Sequence, residues 1–394
     1  MPYSDSLTLS SLEKDPDPIL AELRKYEPVC FVPALEMWFI TKWEDVAFME
    51  SHPEIFSADT NPSFLARALG PNMLTMDKPN SSKARNAMLP AFQAGGVAGS
   101  FASARLPELI DQTIDKFIEN GKVEIMKDFA TPISASSLAI VLGLDSHTWE
   151  EVWEWCEGLC ADIANFENDP TLTNKGNAAR DSLGKVLNKN LEELSKKPNQ
   201  TALSTFLHSI NSDSPLSQDE IVNNVRLMIS GGINEPRDGI GLVVKTVLEN
   251  PQLREELLEN DSLWRKCVEE VFRLHSPVGT ITRQTKCEVK MRDKTIPANS
   301  LVSGILRSAN RDEEHWSNPD SFDLHRKEGP HAAFALGEHR CLGEWLGRQV
   351  VKTASQRLFT RIEGFELEPD FEIELKGFEF RGPLELNCVW GKHV

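Results

Sequence analysis

The sequence predicts a mainly α-helical chain with small β-sheets at its periphery, built as one domain over residues 1–394. Three observations carry this expectation: helical patterning from Trp43 to Asn211, a long capped helix beginning at Ser217, and strand-forming runs of only a few residues each. No internal repeat and no low-complexity linker divides the chain.

In chain order, an acidic, proline-punctuated segment (EKDPDPILAELRKYEP) comes first, followed by Val29–Val32 and Met37–Thr41, whose β-branched and aromatic residues suit a small sheet. Helices are expected at Leu106–Asn120 and Ser134–Leu142, with turns at Ala58–Pro62 and Gly70–Asn72. The segment Ser217-Gln-Asp-Glu220 places a glutamate three residues after a hydroxyl N-cap, which is the pattern of a capping box. Apolar positions then continue towards Asn250, giving a helix of about 33 residues and roughly 50 Å at the α-helical rise. Its middle reads Gly231-Gly232-Ile233-Asn234-Glu235-Pro236. Proline removes one backbone donor and crowds the preceding turn, so this stretch reads either as a packing kink or as a helix opened beside a ligand. Helices at Leu253–Glu259 and Leu263–Leu274 follow, the second stopped by His275-Ser276-Pro277. Short strands are expected at Ile281–Thr285, Glu288–Met291 and Leu301–Ile305, then loop as far as Gly343, a helix over Glu344–Phe359, and a β-like tail ending in FRGPLELNCVW.

Composition excludes several functions. Lys and Arg number 42 against 60 Asp and Glu, a formal net charge of −18 that repels a phosphate backbone, so no nucleic-acid partner is expected. No run approaches the length of a membrane span, and the N-terminus lacks a basic stretch followed by an apolar one, so neither membrane insertion nor a signal peptide is expected. Seven scattered cysteines without C-x-x-C spacing predict a reducing, cytoplasmic setting and no disulfide framework.

The sharpest feature is Phe334-Ala-Leu-Gly337-Glu-His339-Arg340-Cys341-Leu-Gly343, a loop with one cysteine just before a predicted helix. A thiolate there gains from the helix dipole and free N–H groups. Gly337 and Gly343 permit close approach of a flat group, and Phe334 supplies an aromatic cover. The bland alternative is that Cys341 is a small buried hydrophobe.

This loop resembles the haem-binding signature F-x-x-G-x-x-x-C-x-G of the cytochrome P-450 monooxygenases, soluble bacterial type, and the resemblance extends over nearly the whole chain. Glu270-Val-Phe-Arg273 resembles the family's E-x-x-R pair, with Phe322-Asp323-Leu-His-Arg326 between it and the cysteine loop. The resemblance implies the cytochrome P-450 fold, with haem b between the long central helix and the cysteine loop. It also implies Cys341 as iron ligand, Arg85, Arg283 and His339 as partners of the haem propionates, and Glu270 with Arg273 as holders of the loop. The chain departs from the family at Ser81, where a histidine is common, and in its central helix. There Asn234 stands at the position of the usual acid and Glu235 at that of the usual threonine, so proton delivery is assigned to Glu235 and Asn234 as catalytic candidates, Glu235 acting as a buried acid.

The Glu235-Pro236 pair and the tail Phe378-Glu-Phe380-Arg381-Gly382-Pro383 are similar to bacterial members that O-demethylate guaiacol-type methoxyarenes or a 6-O-methylated galactose. By this resemblance the substrate pocket draws on Phe166, Ile229, Gly232, Val278, Ile281 and Phe378. The expected activity is oxidation of a C–H bond of a small-molecule substrate by activated dioxygen; at an O-methyl group this releases formaldehyde. Electrons are expected from a ferredoxin and its NAD(P)H-dependent reductase, with Arg340, Arg348 and Lys352 as candidates for steering. Other readings remain: hydroxylation of another apolar substrate, a peroxide-driven peroxygenase, a haem-binding sensor without turnover, and a zinc site from His325, His331, His339 and Cys341.

Overall fold

Ser217 accepts a hydrogen bond from the backbone N–H of Glu220, and the Glu220 carboxylate accepts one from the N–H of Ser217, so the capping box forms as its spacing predicts. The helix it starts, Gln218–Leu248, is the axis of the molecule. The computed structural model describes residues 2–208 and 215–391; the predicted helical region's end at Asn211 lies outside them.

This central helix is buried along most of its length, with Ile221, Val225, Ile229, Ile233, Ile240 and Val244 in the main apolar core. Helices Thr131–Leu142, Trp149–Ile163 and Glu344–Arg361 pack around it. Its backbone stays helical through Gly231–Pro236 instead of opening. Neighbouring helices satisfy carbonyls on either side of the glycines: Ser134 Oγ donates to Ile233 O at 2.6 Å, and the thiols of Cys156 and Cys160 lie 3.6 and 3.5 Å from Ser230 O. Gly232 is needed for close packing, since a Cβ there would sit 2.9 Å from Leu138 Cδ2.

Most strands are short, as the sequence predicts. Val29–Val32, Met37–Ile40, Leu301–Gly304, Ile281–Thr285 and Phe56–Ser57 form one five-stranded sheet in that order. Only the Met37–Ile40 and Leu301–Gly304 pairing is parallel. Arg283 lies opposite Val302 in this sheet, a register that turns its side chain inward to 5% exposure. The tail contributes Asn387–Val389 to a three-stranded sheet between Lys122–Glu124 and Glu366–Leu367.

Several expectations need correction. The proline-punctuated opening, to which the sequence assigns no element, is helical, as Leu9–Lys14 and Pro16–Tyr26, because Pro16 occupies the first helical turn, where its missing N–H costs nothing. The expected helix Leu106–Asn120 ends at Asp115 and resumes as a single 3₁₀ turn, Ile118–Asn120. The stretch expected as loop before Gly343 contains helix Leu306–Ala309 and a 3₁₀ turn at Gly337–His339. Strand Lys294–Ile296, which pairs with Val289–Met291, was not anticipated.

Candidate active site

The cysteine loop is fixed before its helix begins. Cys341 N–H donates to Phe334 O at 2.9 Å, closing the loop on itself. Gly337 has φ +63°, and a Cβ there would lie 2.3 Å from Glu50 O, so its glycine identity answers both to a left-handed backbone and to contact with helix Trp43–Ser51. Phe334 meets Phe272 edge to face at 5.3 Å and carries the Arg348 guanidinium over its ring at 4.1 Å. Gly343 is the N-cap of helix Glu344–Arg361, and its backbone hydrogen-bonds Cys341.

Despite that hydrogen bond, burial pushes the Cys341 thiol up to about 11, with the charges of Glu235 and Glu344 adding to it. The thiolate anticipated from the helix terminus therefore needs a cation at the sulfur to exist at neutral pH; the terminus alone does not outweigh burial.

Between this loop and the central helix lies a cavity of about 310 Å³. Cys341, Phe334 and Gly343 line it, as do Gly231, Gly232 and Glu235 of the central helix. Arg85, Arg283 and His339, drawn from helix Asn80–Phe92, strand Ile281–Thr285 and the cysteine loop, also reach it. Their states differ. Arg283 is ion-paired with buried Glu50 at 2.9 Å, so part of its charge is already matched. Arg85 makes no hydrogen bond or ion pair among the described residues. His339 is held neutral, at about 4, by burial and by the charge of Arg283, and its Nε2 is buried with no hydrogen-bond partner. Ser81 is buried on the helix of Arg85 but does not line the cavity.

These features fit a haem. A half-buried thiol faces an otherwise largely apolar cavity, and an unpaired arginine and an unsatisfied imidazole nitrogen stand ready for anionic oxygen. Gly337 does not line the cavity; its role is in the loop's packing on Glu50.

Glu270 and Arg273 act one layer away. Arg273 donates to both Glu270 oxygens at 2.9 and 2.8 Å, and Arg326 Nε donates to the same carboxylate. Arg273 also donates to the carbonyls of Asn310, Pro319 and Ser321. The pair therefore fastens the 310–326 segment and not the cysteine loop itself. The neighbouring Glu269 joins the residues on either side of that loop: hydrogen bonds from His331 before it and Arg348 after it overcome burial and hold the carboxyl at about 2.

On the central helix, Glu235 faces the cavity with Oε2 unpartnered. Burial, opposed by a backbone hydrogen bond and reinforced by the charges of Asp238 and Glu379, pushes it up to about 8. Asn234 is not part of the lining; its Nδ2 lies 3.4 Å from Asp238 Oδ2. One helical step separates the two directions, so the residue pair expected to act together is split.

Of the predicted pocket residues, Gly232, Val278 and Ile281 line the cavity. Ile229 does not: it points into the main core with no exposure. Phe378 is stacked on Phe39 at 5.6 Å in the core beneath the sheet, and its neighbour Phe380 takes the cavity position. Phe166 packs on Phe64 and lines a smaller adjoining cavity of about 30 Å³. Glu379, missed in the sequence, lines both cavities and accepts a hydrogen bond from Thr280 Oγ1. The tail reaches this place because Gly279 N–H donates to Glu379 O at 2.8 Å and Val278 bridges Phe380, a pairing between distant segments that local patterning does not announce.

The basic residues beyond the loop are mostly neutralised. Arg340 pairs with Glu344, and Arg348 pairs with Glu269 and Glu344. Lys352 has no ion pair among the described residues. His325 pairs with Glu256 and His331 with Glu269, so the four residues weighed as a zinc site do not converge; among the described residues no group of three His, Cys, Asp or Glu could hold a metal ion.

A family model described as Cytochrome P450 matches residues 167–376. Pulcherriminic acid synthase of Bacillus subtilis is 24% identical over 396 residues, covering 97% of this chain and 96% of that protein. Vitamin D(3) 25-hydroxylase of Pseudonocardia autotrophica is 28% identical, covering 88% and 86% respectively. The crystal structure of CYP109E1 from Bacillus megaterium in complex with testosterone superimposes with a TM-score of 0.86 at 23% identity, over 96% of this chain and 100% of that one. No helix of the described residues is long and apolar enough to cross a membrane.

Proposed function

The chain belongs to the cytochrome P450 family, a haem b oxidoreductase family, and from that premise we propose that it O-demethylates a small methoxy-bearing molecule, releasing formaldehyde. When bound, the haem supplies dioxygen activation, so that one oxygen atom enters the methyl C–H bond and the other leaves as water at the expense of two electrons and two protons; the resulting hemiacetal breaks into formaldehyde and a free hydroxyl.

The observation that carries this reading is the shared cavity, with Cys341 in one wall and Glu235 in the other. Cys341 would hold the iron, Phe334 and Gly343 would flank the macrocycle, and Arg85, His339 and the remaining donor capacity of Arg283 would meet its carboxylates. Glu235, largely protonated at neutral pH, holds a proton on a carboxyl that faces the cavity and has no competing protein partner for Oε2. It thus takes over the proton-holding role that an acid and a hydroxyl share elsewhere in the family. The demethylating specificity is supported by the likeness of Asn234-Glu235-Pro236 and of the Phe378–Pro383 tail to O-demethylating members. Apolar walls suit an aryl or methyl group, and Glu235, Glu379 and Thr280 offer hydrogen bonds to hydroxyls.

Electrons are assigned to a ferredoxin and its NAD(P)H-dependent reductase in the cytoplasm. A second reading is favoured by Glu235 itself: a carboxyl beside the cavity also suits peroxide-driven oxidation. Turnover of guaiacol, 4-methoxybenzoate and 6-O-methyl-galactose with ferredoxin, reductase and NAD(P)H tests the proposal through formaldehyde release. Formaldehyde from none of the three and from no cationic methoxyarene would sink O-demethylation, and equal turnover with hydrogen peroxide alone would favour the second reading.

A further inference from the structure

Glu379 is a half-buried carboxyl to which the proposed function gives no more than a hydrogen bond to a substrate hydroxyl. Its one side-chain hydrogen bond comes from Thr280 Oγ1, and it has no ion pair among the described residues. It stands where the main cavity adjoins the smaller one lined by Ala58, Phe64 and Phe166, and no cysteine-loop residue lines that second cavity. The cations nearby, Arg307 and Arg381, form no ion pair with it, although the charge of Arg307 acts on it from a distance. Buried Arg307 donates to the carbonyls of His275 and Ser276, and Arg381 donates to those of Glu13, Lys14 and Gly377. Glu13, the other acid close by, adds negative potential.

Across the same cavity stands Glu235, its Oε2 buried without a partner. Two carboxyls therefore face one apolar space, and the cationic side chains on its lining are Arg85 and Arg283, which belong to the cysteine side. A carboxylate in an apolar cavity with no ion pair is costly unless a ligand meets it. An anionic ligand would add to that cost; a cationic one would relieve it. The formal charge of −18 favours the same sign, since a negative surface concentrates cations around the molecule.

We propose that the substrate carries a cationic nitrogen, seated against Glu379 at the junction of the two cavities while the carbon to be oxidised lies on the Cys341 side. This rests on the cavity being the substrate site of the monooxygenase.

The test uses ferric holoenzyme at pH 8, where Glu379, raised to about 7, is mainly ionised. It is titrated with 4-methoxybenzyl-trimethylammonium and with its neutral isostere, 4-methoxy-neopentylbenzene, and binding is read from the change of iron spin state. A quaternary nitrogen cannot itself ligate iron, so the pair differs in charge alone. We expect the cation to bind about tenfold tighter or more, and Glu379→Gln to erase that advantage while the neutral compound binds as before. Equal affinities, tighter binding of the neutral isostere, binding of neither, or a charge preference that survives in Glu379→Gln would each overturn the proposal. Absence of a thiolate signature in the reduced carbonyl spectrum of the same preparation would mark failure of the monooxygenase reading instead.

Discussion

Cys341 and Phe334 are joined by a backbone hydrogen bond of 2.9 Å, so the residue that would bind iron and the ring that would cover it are set by one closed loop. Gly337 makes that loop possible, with φ +63° and room for no Cβ against Glu50 O. Gly337→Ala is predicted to cost about 1–3 kcal/mol, from left-handed strain and displacement of the loop. Haem occupancy should fall with it. Gly95→Ala, at a position with nothing within 4 Å, is the control and should be near neutral. Thermal unfolding and the haem-to-protein absorbance ratio check both.

Arg273 serves Glu270 and three carbonyls of the 310–326 segment at once while only 1% exposed. Arg273→Ala would leave Glu270 with Arg326 and the Asp323 N–H, and the Asn310 and Pro319 carbonyls without their donor, while Ser321 O keeps Arg326. A loss of about 3–5 kcal/mol is expected, the range for breaking a buried ion pair by removing one partner. Denaturant unfolding measures it. Arg273→Lys should recover only part, because an ammonium cannot reproduce the two-pronged contact.

Glu235 sets a pH dependence whose sign can be stated. Its folded value of about 8 lies above the ordinary carboxylate range, so the folded protein holds a proton that the unfolded chain releases. Stability should therefore be highest at and below the unfolded value and fall as pH rises towards about 8. The slope contributed by this group is at most about 1.4 kcal/mol per pH unit. Glu235→Gln should flatten the dependence between these limits. If Glu235 holds the proton used in turnover, the wild-type coupling of NAD(P)H to product should decline as pH rises through about 8. The Gln variant should be poorly coupled at every pH.

Arg348 was a candidate for steering a ferredoxin, yet it is tied to Glu269, Glu344 and the Phe334 ring. Arg348→Glu should chiefly lower stability and haem retention. Lys352, unpaired among the described residues, is the better test of steering. Lys352→Glu should slow ferredoxin reduction roughly two- to tenfold at low salt, and the difference should vanish as salt screens the encounter. Stopped-flow reduction across ionic strength measures this.

Much of the fold was legible because its signals are local. The Ser217–Glu220 capping box, the period of the central helix and the F-x-x-G-x-x-x-C-x-G loop each lie within a few turns of chain. What the sequence did not disclose depends on pairing between distant segments. Glu379 comes to the cavity through the Gly279–Glu379 hydrogen bond, and Phe380 reaches the same wall while Phe378 is taken up by its stack on Phe39. Asn234 and Glu235 are neighbours in sequence but point about 100° apart on a helix, enough to put one on the cavity and the other against Asp238. The helix terminus beside Cys341 is visible in the sequence, whereas the burial that raises the metal-free thiol is not.

The most direct test of the account is the absorption spectrum of the purified, dithionite-reduced protein under carbon monoxide, for wild type and Cys341→Ser. A strongly red-shifted Soret band in wild type that is lost in the variant is the predicted result, since only a thiolate opposite carbon monoxide produces that shift. A wild-type band at the unshifted position, or one that survives in Cys341→Ser, would contradict the assignment of Cys341 as the iron ligand.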